Sequence, residues 1–161
     1  MLVTYNGIYY VVFFVLLLMC DEFNSQEDIY VSNLNIRCMK CLCAASTGCP
    51  AEPLGCASGY CGPFQISKQY WLDAVKGTPL DTNDDATYET CVNTYDCASK
   101  VVKYYIARFA KDCNSDGVTT CEDFLMINYN GGYNCGSSLY RNPSSMIYLK
   151  RFTNCTENFV F

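Results

Sequence analysis

The sequence predicts a mostly helical α+β fold: one small, disulfide-rich domain with a short β-hairpin. Three observations carry that prediction. Twelve cysteines, Cys38, Cys41, Cys43, Cys49, Cys56, Cys61, Cys91, Cys97, Cys113, Cys121, Cys135 and Cys155, follow an apolar leader, and their even number suits a framework of up to six bridges. Apolar residues recur at three- and four-residue spacing in several segments, the period of a half-buried helix. One Gly-rich stretch, LGCASGYCGPFQI, sets turn residues around short apolar pairs, which is hairpin chemistry.

The elements follow in chain order. Residues 1–20 carry no charged side chain, and the run from Tyr9 to Cys20 is continuously apolar before Asp21 and Glu22. That run is short for a membrane span and suits a signal peptide, with cleavage expected at about 20–25. Residues 26–161 then form the domain, enough chain for one modest core. Ile36, Met39 and Leu42 predict a first helix over about 34–46, broken by Thr47, Gly48 and Pro50. The hairpin comes next, pinned by Cys56 and Cys61. Lys68 to Val75 reads as a short helix closed by Gly77, and Thr78 to Asp85 as a polar loop.

The strongest helical pattern places Val101, Val102, Tyr105, Ile106 and Phe109 on one face and Lys100, Lys103 and Lys111 off it, with Asp96 as the expected N-cap. Another helix is expected from Cys121, where Glu122 and Asp123 suit the positive helix start, to a left-handed cap at Gly131-Gly132. Asn142-Pro143-Ser144 initiates a last helix through Met146, Leu149 and Phe152. Among the cysteines, Cys43–Cys49, Cys56–Cys61 and Cys91–Cys97 are the pairs that would close short loops.

Charge and composition exclude several function classes. With 16 acidic against 11 basic residues the net charge is −5, which does not steer a chain toward nucleic acid. No histidine is present, so a Ser-His-Asp or Cys-His nucleophile is ruled out. Cys38-x-x-Cys41-x-Cys43 has a spacing compatible with zinc, but a leader that sends the chain to an oxidising compartment favours disulfides. No metal and no cofactor is expected, and no membrane contact once the leader is removed.

A resemblance rests on motif order. CMKCLC, GC, LGC, CG-x-FQI, YW-x-D, C-x-N-x-x-x-CAS, KYYIARF, CEDF and YNGG succeed one another from Cys38 to Cys155, and in that order the chain resembles the invertebrate-type (destabilase-type) lysozymes. The resemblance implies a lysozyme-like fold, secretion, and a groove for peptidoglycan or chitin-like oligosaccharide, with a protein partner as a further use of the same surface. By the same resemblance Ser67, Lys68, Gln69, Tyr70, Trp71, Leu72, Asp73, Arg108, Tyr129, Asn130 and Gly131 would line that groove. An additional bridge common in the family would fall on Ala74 and Val101, and both of its ends are missing together.

The chemistry the resemblance implies is less complete. A retaining glycosidase needs a protonated carboxylic acid and a second carboxylate about 5 Å away. The family's acid lies three residues after the third cysteine, which here is Ser46; its Asp lies three residues past the cysteine that opens the hairpin, which here is Gly59. Glu52 is the carboxylate between Cys43 and Cys61 and so the substitute to consider. Family isopeptidase activity would need His-Asn-Gly-Gly, and the chain has Tyr129-Asn130-Gly131-Gly132, with Lys68 displaced by one residue from the family lysine. The resemblance and these departures leave two expectations: a saccharide-binding member without muramidase activity, or an active glycoside hydrolase of bacterial cell wall that uses carboxylates away from the family positions, Glu52 first among them.

Overall fold

The computed structural model describes residues 29–158, so the leader expected over 1–20 lies outside the described residues. They form six helices and a three-stranded antiparallel sheet, a mostly helical α+β arrangement as the sequence predicts.

Helix α1 (Ile36–Thr47) starts where the Asn35 side chain accepts from the Cys38 amide at 2.8 Å, and stops at Gly48, whose φ of 86° a side chain would resist. Its buried stripe, Cys38, Met39, Cys41, Leu42, Cys43 and Ala45, faces the rest of the domain. The sheet follows: β1 (Cys56–Ala57), β2 (Tyr60–Cys61) and β3 (Ile66–Ser67), in the order β1-β2-β3 with Cys56 opposite Cys61 and Cys61 opposite Ile66. Ser58 and Gly59 turn the hairpin at φ 53° and 83°, the doubly positive pattern that matches strand twist. The third strand was not legible from a two-residue run and extends the expected hairpin.

Ser67 ends β3 and caps α2 (Lys68–Val75), its hydroxyl accepting from the Tyr70 amide at 3.1 Å. Helix α3 (Asp85–Val92), capped by Asp84, is an addition to the sequence-based expectation. It buries only Tyr88, Cys91 and Val92, so its periodicity is weak, yet it holds the sheet: the Tyr88 hydroxyl donates to the Ile66 carbonyl at 2.7 Å. Helix α4 (Tyr95–Phe109) begins before Asp96, because Thr94 keeps extended backbone and takes the cap position while Asp96 falls in the first turn. There its charge still favours the helix start.

Helix α5 (Cys121–Asn130) opens on a capping box in which the buried Asp123 accepts from the Thr120 amide at 2.7 Å. It ends at Gly131, where φ is positive but ψ of 154° is extended, so the expected left-handed cap is not formed. The next residue explains the path. Gly132 donates to the Tyr105 hydroxyl at 3.0 Å, and a Cβ on it would stand 2.1 Å from the Phe109 ring. Helix α6 (Pro143–Glu157) starts at the expected Asn142, but its buried residues are Ser145, Tyr148 and Phe152, and Met146 is exposed.

The core gathers Leu42, Ile66, Trp71, Val75, Val92, Val101, Val102, Ile106, Phe124, Leu125 and Ile127. Ala74 and Val101, the two positions without the family's additional bridge, are buried on α2 and α4, which pack against each other. Six disulfides frame it. Cys43–Cys49, Cys56–Cys61 and Cys91–Cys97 close short loops as the spacing suggests. The long-range bridges are Cys38–Cys121, Cys41–Cys155 and Cys113–Cys135.

The Cys41–Cys155 bridge spans 114 residues and Cys43–Cys49 spans 6. Loop-closure entropy then gives about 5 kcal/mol for the first and about 2 kcal/mol for the second. Paired alanine replacements compared by urea unfolding are expected to show that ordering; equal losses would contradict it.

Candidate functional site

A groove of about 700 Å³ runs along one side of the domain, lined by Ala45, Ser46, Tyr60, Phe64, Gln65, Asn128, Tyr129, Ser144, Ile147, Tyr148 and Arg151. Four structural units meet there. The end of α1 supplies Ser46, and it is held to the sheet side by the Thr47 hydroxyl donating to the Pro63 carbonyl at 2.8 Å. The sheet supplies Tyr60 and the β2–β3 connection Phe64 and Gln65. Helix α5 supplies Asn128 and Tyr129, and α6 presents Ser144, Ile147, Tyr148 and Arg151 at the spacing of one helical face.

A chain of side-chain hydrogen bonds crosses the floor. Tyr70 donates its hydroxyl proton to Asn128 Oδ1 at 3.0 Å, and Asn128 Nδ2 donates to the Tyr148 hydroxyl at 2.9 Å. The Ser46 side chain lies beside that hydroxyl in the groove. Ser46 in turn donates to the Leu42 carbonyl at 3.0 Å, so its own proton is committed to the helix. Both ends of the Asn128 amide are thus used, which fixes its orientation.

Burial dominates the electrostatics. It pushes the Tyr148 phenol up to about 12, against smaller opposing effects of the Asn128 and Ser46 hydrogen bonds. Tyr70 is likewise raised well above the ordinary phenol range, by burial first and then by Tyr105 and Tyr148. Its ring stacks on Tyr105 with centroids 3.7 Å apart. Both phenols are neutral hydrogen-bonding groups at neutral pH, unsuited to serve as an activated nucleophile. Among the described residues, no Asp or Glu lines the groove.

Of the residues expected to form the groove wall, Tyr129 lies in it and Tyr70 reaches it through Asn128. Trp71 does not: it is 0% exposed, and its indole N–H donates to the Thr82 carbonyl at 2.9 Å. A ring enclosed on all sides offers no face to a sugar, and its apolar bulk serves the core. Ser67 is the α2 cap described above. Lys68 pairs with Asp85 at 2.8 Å and donates to the Asn83 carbonyl, fastening α2 to the start of α3.

Gln69 donates to Asp73 at 2.9 Å along α2, and Leu72 packs at the edge of the core. Arg108 donates to the Lys76 carbonyl at 2.6 Å, tying α4 to the end of α2. Asn130 bridges to the Ser137 carbonyl at 2.8 Å and accepts from Arg141, and Gly131 carries the turn that follows. Gly59 sits at the exposed hairpin tip with nothing within 4 Å of a Cβ. Glu52 lines a different depression, with Lys40, Asn93 and Tyr95.

The destabilase family model matches residues 35–155, three-quarters of the chain. The chain belongs to the destabilase family. Among the relatives of this destabilase-family chain, Lysozyme 1 of Crassostrea virginica is 34% identical over 106 residues, 63% of this chain and 52% of that protein, so the match spans about half of the relative's length. The lysozyme of Magallana gigas is 31% identical over 125 residues, 74% of this chain and 79% of that one. The crystal structure of Tapes japonica lysozyme superposes with a TM-score of 0.53 at 26% identity, covering 73% and 87% of the two chains. Meretrix lusoria lysozyme, in its complex with Aeromonas hydrophila PliI, gives 0.56 at 26% identity, covering 78% and 93%. The fold is therefore that of the invertebrate-type lysozymes.

The raised Tyr148 value makes an alkaline prediction. The proton is held more tightly in the folded chain than at the ordinary value of about 10, so this contribution is complete below pH 10 and is lost as pH rises toward 12. The loss amounts to about 3 kcal/mol. Denaturant midpoints measured from pH 9 to 11.5 are expected to fall, and to fall less steeply in Tyr148→Phe.

Proposed function

We propose that this destabilase-family protein is secreted and holds a peptidoglycan or chitin-like saccharide in the Ser46 groove without hydrolysing it. One observation carries the reading: among the described residues, the groove that contains Ser46 is lined mainly by aromatic, amide and hydroxyl side chains and by no carboxylate. Aromatic faces accept the apolar face of a pyranose ring, and Gln65, Asn128 and Ser144 offer donors and acceptors for hydroxyl and acetamido groups. Hydrolysis asks for more. An acid and a second carboxylate must face each other across the scissile bond.

Described carboxylates near the family positions in sequence are engaged elsewhere or stand apart from the groove. Glu52 belongs to the other depression, Asp73 accepts from Gln69, Asp84 caps α3 and Asp81 accepts from the Gly77 amide at 2.7 Å. Secretion is supported by the uncharged leader and by six bridges, which persist in oxidising compartments.

The test pairs turnover with binding. Purified, oxidised protein is expected to release no reducing ends from bacterial cell walls or chitotetraose between pH 4 and 8, while calorimetry detects saccharide binding that Ser46→Phe abolishes. Turnover by the wild-type chain would overturn the non-hydrolytic reading. Absence of binding to every saccharide would overturn the groove assignment and leave a protein partner as the use of this surface. In Ser46→Glu, Gly59→Asp the new aspartate sits at a backbone φ of 83°, so about 1 kcal/mol of stability is expected to be lost with it.

A further inference from the structure

Arg151 is the charged residue in the groove, and its setting is unlike that of the other cations described above. Lys68 is paired with a carboxylate, and Arg108 and Arg141 donate to main-chain or amide oxygens that tie one element to another. Arg151 is exposed, and among the described residues its one hydrogen bond to protein is a long one, Nη1 to the Ser46 carbonyl at 3.3 Å. That contact places the guanidinium beside the end of α1. A guanidinium has five N–H donors in a planar fork, so most of the fork remains for a ligand.

Local charge favours an anion there. The chain as a whole carries −5, but charges are screened beyond about 8 Å at physiological ionic strength, so the groove is governed by what lines it. Its lining contains one cation and no carboxylate. Among the described residues that line the groove none carries a charge that opposes a bound anion, and the fork of Arg151 matches a carboxylate in a bidentate geometry.

We infer that Arg151 makes this groove selective for carboxylate-bearing saccharides over neutral ones, the sugar ring lying against Tyr60, Tyr129 and Tyr148 while its carboxylate meets the guanidinium. The inference rests on the saccharide reading of the groove and adds the substituent it recognises. Two sources supply that chemistry, the lactyl ether of a muramyl sugar and the carboxylate of a uronic acid.

The experiment measures dissociation constants for chitotetraose, for the tetrasaccharide of alternating N-acetylglucosamine and N-acetylmuramic acid, and for a hyaluronan tetrasaccharide, with wild type, Arg151→Gln and Arg151→Lys. Wild type is expected to bind one or both acidic glycans about tenfold more tightly than chitotetraose, as a charge-assisted hydrogen bond allows. That ratio is expected to collapse toward one in Arg151→Gln and to be partly kept in Arg151→Lys, whose point charge lacks the fork. Tighter binding of the muramyl glycan alone assigns the lactyl carboxylate, and of the hyaluronan fragment alone the uronate. Equal binding of neutral and acidic glycans by wild type, or an undiminished ratio in Arg151→Gln with unchanged unfolding midpoint, overturns the inference while leaving saccharide binding intact. Failure of wild type to bind any of the three overturns the saccharide reading itself.

Discussion

Everything in the groove depends on where α1 is held. Three of its cysteines leave the helix in different directions: Cys38 to the start of α5, Cys41 to the end of α6 and Cys43 to the loop after its own terminus. Its apolar stripe lies mainly against α6. Ser46 is three residues past Cys43, so these bridges fix the position of its hydroxyl relative to helices far away in sequence. A side chain at that place is set by covalent staples as much as by packing. This is a sound arrangement for a domain whose core is small for the number of elements it must hold.

The same constraint makes Asn128 the centre of the floor. It lies on α5, whose start is bridged to α1, and its amide takes a proton from Tyr70 on α2 and gives one to Tyr148 on α6. A single amide therefore links three helices, each of its two ends satisfied. Partly satisfied buried networks are costly, whereas complete ones rigidify. The aromatic column behind it, Tyr70 on Tyr105 and Tyr105 near Phe109, explains why Gly132 has no room for a side chain.

Much of the fold is legible in the sequence, because its signals are local. The start of α6 is written in Asn142-Pro143, the end of α1 in Gly48, and the three short disulfides in spacings of five and six residues. Helix α3 is not legible, since three buried residues in DATYETCV make a weak period and Thr, Val and Cys are poor helix formers. The site is less legible than the fold. Trp71 and Lys68 have the residue types of a sugar wall, but both are used internally, one by enclosure and one by an ion pair. The face Ser144, Ile147, Tyr148 and Arg151 has helical spacing, yet only knowledge of which element α6 packs against shows that this face borders a groove.

A serine at position 46 has a structural consequence for the floor of the groove. A carboxylic acid held protonated at such a place requires a partly buried setting, and that setting costs stability whenever the group ionises. Serine removes the cost. Its hydroxyl returns a hydrogen bond to the Leu42 carbonyl within α1, and the Tyr148 phenol beside it is met by Asn128, so the floor is held without a charge. A hydrogen-bonded floor without an ionised group, with a guanidinium at its edge, holds its shape without the cost of a buried charge. The aromatic faces, the fixed amide geometry and the guanidinium beside the end of α1 are the features on which the proposed saccharide recognition rests.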